Sequence, residues 1–259
     1  MSRLQPTLRG RVIARWVAIG SISLLISSGW AAAQVPGFNT DTVGGPASGK
    51  RAELYLPQGS AATAGVIVLH GCGGVVPHDR DWARRLAQWG YAALLIDSFR
   101  PRGYSEVCNS GQLVPPETQA RDAFDGAAYL RSRTDLHIGR VGVIGFSHGG
   151  WAVLKAVLAG VARQPSEPAF AAAVALYPGC DPPQGALETD TLIFIGEADD
   201  WTPVARCRRW VDLAQPNGHA LRIKTYPGAL HAFDGLIPPQ HLYGHYIGQD
   251  PAARADAIA

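Results

Sequence analysis

Five short runs of apolar residues between positions 64 and 198 constrain this chain more than any other feature: "AGVIVLHG" (64–71), "YAALLIDS" (91–98), "RVGVIGFS" (140–147), "FAAAVALYP" (170–178) and "TLIFIGEA" (191–198). Each is too short for a helix, is continuous rather than alternating, and reads as a strand buried on both faces. "ALRIKTYPG" (220–228) adds a sixth strand. Helical patterns fall between them. "RDWARRLAQWG" (80–90) carries Trp82, Leu86 and Trp89 at helical spacing and stops at Gly90. "ETQARDAFDGAAYLRSR" (117–133) sets Ala120, Phe124, Ala127, Ala128 and Leu130 largely on one side. "WAVLKAVLAG" (151–160) and "PVARCRRWVDLA" (203–214) are the other two.

Strands alternating with helices imply right-handed crossovers and a mostly parallel central sheet with helices on both faces, an α/β architecture. "KRAELYLP" (50–57), before the first core strand, fits an antiparallel edge hairpin. A fold of this class places its chemistry in loops at the carboxyl ends of the strands. Those loops begin near His70, Ser98, Ser147, Pro178, Glu197 and Pro227.

The first 33 residues are set apart from the fold. Arg3, Arg9, Arg11 and Arg15 precede the uncharged "WVAIGSISLLISSGW", and Ala31 and Ala33 suit cleavage before Gln34, the order of a secretory signal peptide. The apolar stretch is shorter than the ~20 residues of a spanning helix. The expectation is export to the periplasm or beyond, with no membrane association after cleavage. The remaining 34–259 reads as one domain. Removing 4 of 23 basic residues leaves 19 against 21 acidic ones, about −2, with no basic stripe for nucleic acid.

Cys72, Cys108, Cys180 and Cys207 show no C-x-x-C spacing, so no metal site is expected. Four cysteines in an exported chain favour disulfides, and proximity of the loops favours Cys72–Cys108 and Cys180–Cys207.

Gly145-Phe146-Ser147-His148-Gly149 joins a strand to a helix, the context of a nucleophile elbow. The turn exposes the serine hydroxyl at the positive end of a helix dipole. A serine needs a base to take its proton. In elbow hydrolases the order is serine, acid, histidine, leaving His219, His231, His241 and His245. His219 precedes a strand, at the wrong end of the sheet. His241 and His245 lie in what reads as an irregular tail. His231, in "YPGALHAFD", follows a strand at its carboxyl end. Glu197, Asp199 and Asp200 are the candidate acids. Backbone donors for an oxyanion are expected at His148 and, in "HGCGG" (70–74), at Cys72.

"GVIGFSHGG", "GEADDWTP" and "YPGALHAF", in that order, resemble the dienelactone hydrolase family of the α/β hydrolases over roughly residues 50–235. The resemblance implies an α/β-hydrolase fold and a Ser147, Asp199, His231 triad, with Asp200 as the alternative acid. It also implies hydrolysis of a small-molecule ester or lactone without a cofactor. The chain departs from the family in four places. Its best-known members use cysteine where Ser147 stands. Their glutamate near the end of the first core strand is replaced by His70. Their substrate-carboxylate arginine after the histidine is absent, with Phe233, Asp234 and Gly235 there. Their long closing helix is matched only by "DPAARADAIA". An ordinary ester or lactone hydrolase is therefore the expectation, with His70, Arg100 (or Arg102) and Trp201 as substrate contacts. A catalytically silent binding protein, a peptide or amide hydrolase and an acyltransferase are the other readings the same scaffold allows.

Overall fold

The computed structural model describes residues 51–58, 62 and 64–259. The expected leader and the boundary after residue 33 lie outside the described residues.

Seven strands form one sheet: β1 (Arg51–Tyr55), β2 (Ala64–Leu69), β3 (Ala92–Asp97), β4 (Arg140–Phe146), β5 (Ala173–Leu176), β6 (Thr191–Gly196) and β7 (Leu221–Tyr226). Their order is β1-β3-β2-β4-β5-β6-β7. All neighbours are parallel except β1 and β3. The central runs are as buried as their composition requires, with every residue of β3 inside. β7, at the far edge, alternates exposed and half-buried residues and turns Arg222 and Lys224 to solvent, charges that blunt an open edge. At the other edge β1 is antiparallel, and its partner among the described residues is β3, with Arg51 opposite Asp97; the rest of the expected edge hairpin lies outside the described residues.

Helices α1 (Pro77–Gln88), α2 (Pro116–Ser132), α3 (His148–Ala156), α4 (Val204–Leu213) and α5 (Pro251–Ile258) complete the domain. Successive residues of a strand face opposite sides, and β2 illustrates the two layers. Ile67 packs under α2 at Gly126, while Val66 shares the other face with Trp82 and Leu86 of α1 and Ile258 of α5. α2 and α3 lie against each other on the first face. Helix α5 is capped by Asp250, whose carboxylate accepts from the Ala252 and Ala253 amides at 3.0 Å.

The segment expected to be an irregular tail is ordered as a hairpin, β8 (Gln240–Leu242) and β9 (His245–Ile247). Its two-residue turn places Tyr243 and Gly244 at φ 50° and 89°, the left-handed pair of a type I′ turn whose twist suits antiparallel strands. Gly248 N–H donates to the His231 carbonyl at 3.0 Å, so the hairpin is tied to the loop after β7. No helix among the described residues is long and apolar enough to cross a membrane.

Candidate active site

The end of β4 turns sharply into α3, and the turn depends on three glycines. A Cβ on Gly145 meets the Gly149 carbonyl oxygen at 2.2 Å, one on Gly149 meets the Leu69 oxygen at 2.2 Å, and one on Gly150 meets the Leu176 oxygen at 2.9 Å. Helix α3 thus begins at His148 rather than Trp151, pressed against the ends of β2 and β5. Ser147 takes φ 53°, ψ −113°, a strained conformation for a residue with a side chain.

The loop after β7 brings His231 to this turn. His231 Nε2 lies 2.9 Å from Ser147 Oγ, across 84 residues of sequence. On the other side of the ring, Nδ1 is 2.8 Å from Asp199 Oδ2. Asp199 is buried and fixed by its own loop: Oδ1 accepts from the Trp201 and Thr202 amides at 2.9 and 2.8 Å, and Oδ2 accepts from Thr202 Oγ1 at 2.8 Å. With the carboxylate an acceptor only, Nδ1 donates and the lone pair of Nε2 faces the serine. Tyr177 and Trp201 hold the imidazole from two sides, with ring centroids 4.8 and 5.1 Å from it. Asp200 points away, accepting from the Tyr246 amide at 3.1 Å and lying 3.7 Å from His245. Of the three candidate carboxylates, it is Asp199 that reaches His231.

The 70–74 loop lies over Ser147, with a Cβ on Gly71 reaching the Ser147 side chain at 3.5 Å. Cys72 in this loop is bonded to Cys108, and its carbonyl accepts from Val107 N–H at 2.8 Å. Cys180 is bonded to Cys207. His148 follows the serine as the first residue of α3, where amides have no acceptor within the helix. Its ring is occupied elsewhere, with Nδ1 2.8 Å from Gln119 Oε1 and Nε2 2.9 Å from the Gly111 carbonyl oxygen. Burial pushes this imidazole down to about 4, so it stays neutral.

Two of the expected substrate contacts do not reach the cleft. His70 is 0% exposed, its Nδ1 bonded to the Gly71 carbonyl at 2.8 Å and its Nε2 accepting from the Ser98 amide at 3.1 Å. It is a core residue satisfied by backbone, tying the 70–74 loop to the loop after β3. Arg100 is held 3.4 Å from Asp97 on the 3-10 turn Arg100–Arg102. Arg102 forms a two-pronged pair with buried Asp122 and donates to the Ser98 carbonyl. Trp201 does line the cleft.

Ser147 opens onto two cavities. The larger, of about 540 Å³, is bounded by the 71–76 loop, α1, His231 and the β8–β9 hairpin. The smaller, of about 200 Å³, lies toward Gly111, Trp151 and Gly179. Asp234, in the wall of the larger one, is buried and accepts from His78 Nε2 at 2.8 Å, Trp82 Nε1 at 2.7 Å and Tyr177 Oη at 2.7 Å. Burial opposes charge on His78, but the Asp234 carboxylate, with Asp79 3.7 Å from the other ring nitrogen, outweighs it and lifts the imidazole to about 10. Sequence reasoning missed this cluster and Thr202, whose partners are distant in the chain or local to a loop. The hairpin was missed too, although Tyr243-Gly244 between short β-prone segments is a turn signal.

Comparisons with known proteins agree with this architecture. A candidate carboxymethylenebutenolidase of Methylorubrum extorquens is 29% identical over 201 residues, 68% of this chain and 65% of that protein. The quorum-quenching protein AidA of Acinetobacter baumannii is 29% identical over 204 residues, 76% of this chain and 64% of that protein. The chain thus spans just under two thirds of the length of these two curated relatives. The crystal structure of a dienelactone hydrolase from Anabaena variabilis superposes with a TM-score of 0.60 at 23% identity, over 88% of this chain and 92% of that one. It shares the α/β-hydrolase fold. Residues 51–259 match the Dienelactone hydrolase family, and the chain belongs to that family.

Proposed function

We propose that this protein is an exported serine hydrolase of small carboxylic esters or lactones, working through an acyl-enzyme on Ser147. The observation that carries the reading is the continuous chain from Asp199 Oδ2 to His231 (2.8 Å) and from His231 Nε2 to Ser147 Oγ (2.9 Å). Ser147 Oγ attacks the carbonyl carbon as its proton passes to His231 Nε2. The carbonyl oxygen becomes an oxyanion and accepts from the amides of Cys72 and His148, each such donor contributing ~3–4 kcal/mol to the transition state. His231 then gives its proton to the departing alkoxide. In the second half Nε2 takes a proton from water, the hydroxide attacks the acyl carbon, and the acid leaves as Ser147 recovers its proton. Asp199 keeps the imidazole in the useful tautomer and stabilises the imidazolium.

The apolar walls of the larger cavity suit an uncharged substrate, and the name of the Methylorubrum relative points to a lactone as one class. Two disulfides support export, since such bonds persist in oxidising compartments, and the basic and apolar leader with cleavage before Gln34 fits it. We take residues 34–259 as the mature domain.

A fluorophosphonate probe followed by peptide mapping tests the mechanism. Labelling at Ser147, with hydrolysis of p-nitrophenyl acetate lost in Ser147→Ala, is the expected result. Full activity of that variant would overturn it. Intact mass of the protein recovered from the periplasm tests export and the cleavage site.

A further inference from the structure

We infer that the two cavities at Ser147 sort the two halves of an ester: the alcohol enters the larger and the acyl group, kept short, enters the smaller. The inference rests on the acyl-enzyme reading above and adds the substrate class. A tetrahedral carbon on Ser147 Oγ has three other substituents, and each has a different requirement. The oxyanion must meet the Cys72 and His148 amides. The leaving oxygen must come within hydrogen-bond reach of His231 Nε2, which gives it a proton. His231 borders the larger cavity and not the smaller. The alcohol attached to that oxygen therefore extends into the larger space, among Val76, Ile237 and Leu242. The acyl carbon is left with the smaller cavity.

The partition between them is built from groups common to both, the Cys72–Cys108 disulfide and Trp201. At about 200 Å³ the smaller cavity falls below the ~300 Å³ at which pockets hold drug-sized molecules, whereas about 540 Å³ falls within that range. Trp151 limits it: the indole sits against Gly179, where a Cβ would lie 3.0 Å from the ring, and against Gly111. The same arrangement serves the second half-reaction. Departure of the alcohol vacates the side that His231 faces, so water can approach the acyl carbon beside its base while the acyl group stays in place.

Two isomeric esters test the assignment, 2-phenylethyl acetate and methyl 3-phenylpropanoate. They share one formula and alkoxide leaving groups, and differ in which half is bulky. The expected kcat/KM is ~10-fold or more higher for 2-phenylethyl acetate, the scale at which a pocket discriminates apolar bulk. Trp151→Ala is expected to raise kcat/KM for methyl 3-phenylpropanoate selectively, and Ile237→Trp to lower it for 2-phenylethyl acetate selectively. Phosphonate labelling of Ser147 with equal or reversed preference, or with no turnover of either ester, overturns the sorting alone. Absence of both labelling and hydrolysis overturns the acyl-enzyme reading and the sorting with it. The Ile237→Trp variant carries the test if Trp151→Ala does not fold.

Discussion

His78 Nε2 and Asp234 Oδ2 lie 2.8 Å apart in the wall of the larger cavity, although 156 residues separate them in the chain. Burial disfavours both charges, yet mutual attraction, with Asp79 adding to it at His78, holds His78 at about 10 and lowers Asp234, which Tyr177 and Trp82 also serve. A histidine raised from 6.5 contributes stability that is complete below pH 6.5 and is lost as pH rises through about 10. The lowered carboxyl contributes above its ordinary 3.8 and loses its share as pH falls through its folded value. Thermal unfolding of the wild type should therefore weaken from pH 6.5 toward 10 more steeply than that of His78→Gln, which has no proton to lose there. Asp234→Ala should cost about 2–4 kcal/mol in urea unfolding, because it leaves the buried Trp82 and Tyr177 donors unpaired and half-buried His78 with Asp79 alone. Parallel pH profiles for wild type and His78→Gln would show the pair to be uncharged.

Adjacent carboxylates at 199 and 200 give a direct test of the acid. Asp199 Oδ2 meets His231 at 2.8 Å, while Asp200 accepts from the Tyr246 amide of the hairpin. Asp199→Asn should lower kcat on p-nitrophenyl acetate about 10⁴-fold through the wrong imidazole tautomer. Asp200→Asn should stay within about twofold, as expected of a change at an exposed surface bond. Circular dichroism of both variants checks that the fold is intact. A large loss in Asp200→Asn alone would transfer the role.

The elbow is sterically closed at Gly149, where a Cβ would stand 2.2 Å from the Leu69 carbonyl oxygen. A backbone atom cannot swing aside as a side chain does, so β2 and α3 must separate. Gly149→Ala should lose about 3 kcal/mol or more, at the upper end of overpacking costs, and should lose phosphonate labelling with it. Gly139→Ala is the control, since nothing lies within 4 Å of a Cβ there and its backbone is ordinary. It should unfold at the wild-type urea midpoint.

What could be read from the chain follows from the range of the interactions. The sheet was legible because strands such as "AALLID" are buried on both faces and declare it in six consecutive residues. The preference for Asp199 over Glu197 and Asp200 came from the resemblance to the dienelactone hydrolase family. Ser147 and His231 were legible as candidates because order along the chain and position at strand ends are both sequence properties. His70 was misread for the same reason: position at a strand end says where a side chain starts, not that its two nitrogens are taken by the Gly71 carbonyl and the Ser98 amide. The Asp234 cluster was not legible, because its three donors come from α1 and the end of β5, and only the folded sheet brings them to one carboxylate.

The two disulfides should separate stability from catalysis. They close separations of 36 and 27 residues, and chain-entropy arguments give each about 3.5–4 kcal/mol of stabilisation. Similar losses of stability are therefore expected in Cys72→Ser/Cys108→Ser and Cys180→Ser/Cys207→Ser. Their effects on turnover should differ. Cys72 carries a proposed oxyanion amide in a loop that lies on Ser147, and the Cys72–Cys108 bridge holds that loop to the 107–113 segment. Cys180–Cys207 joins the loop after β5 to α4, behind the smaller cavity, and carries no donor to the reacting carbonyl. At a temperature where both variants are folded, the first should lose about 10²-fold in kcat, the scale of a misplaced oxyanion donor, with the second within about threefold of wild type. Equal losses in kcat would mean that Cys72 acts through stability alone, and that a different amide of the 70–74 loop meets the oxyanion.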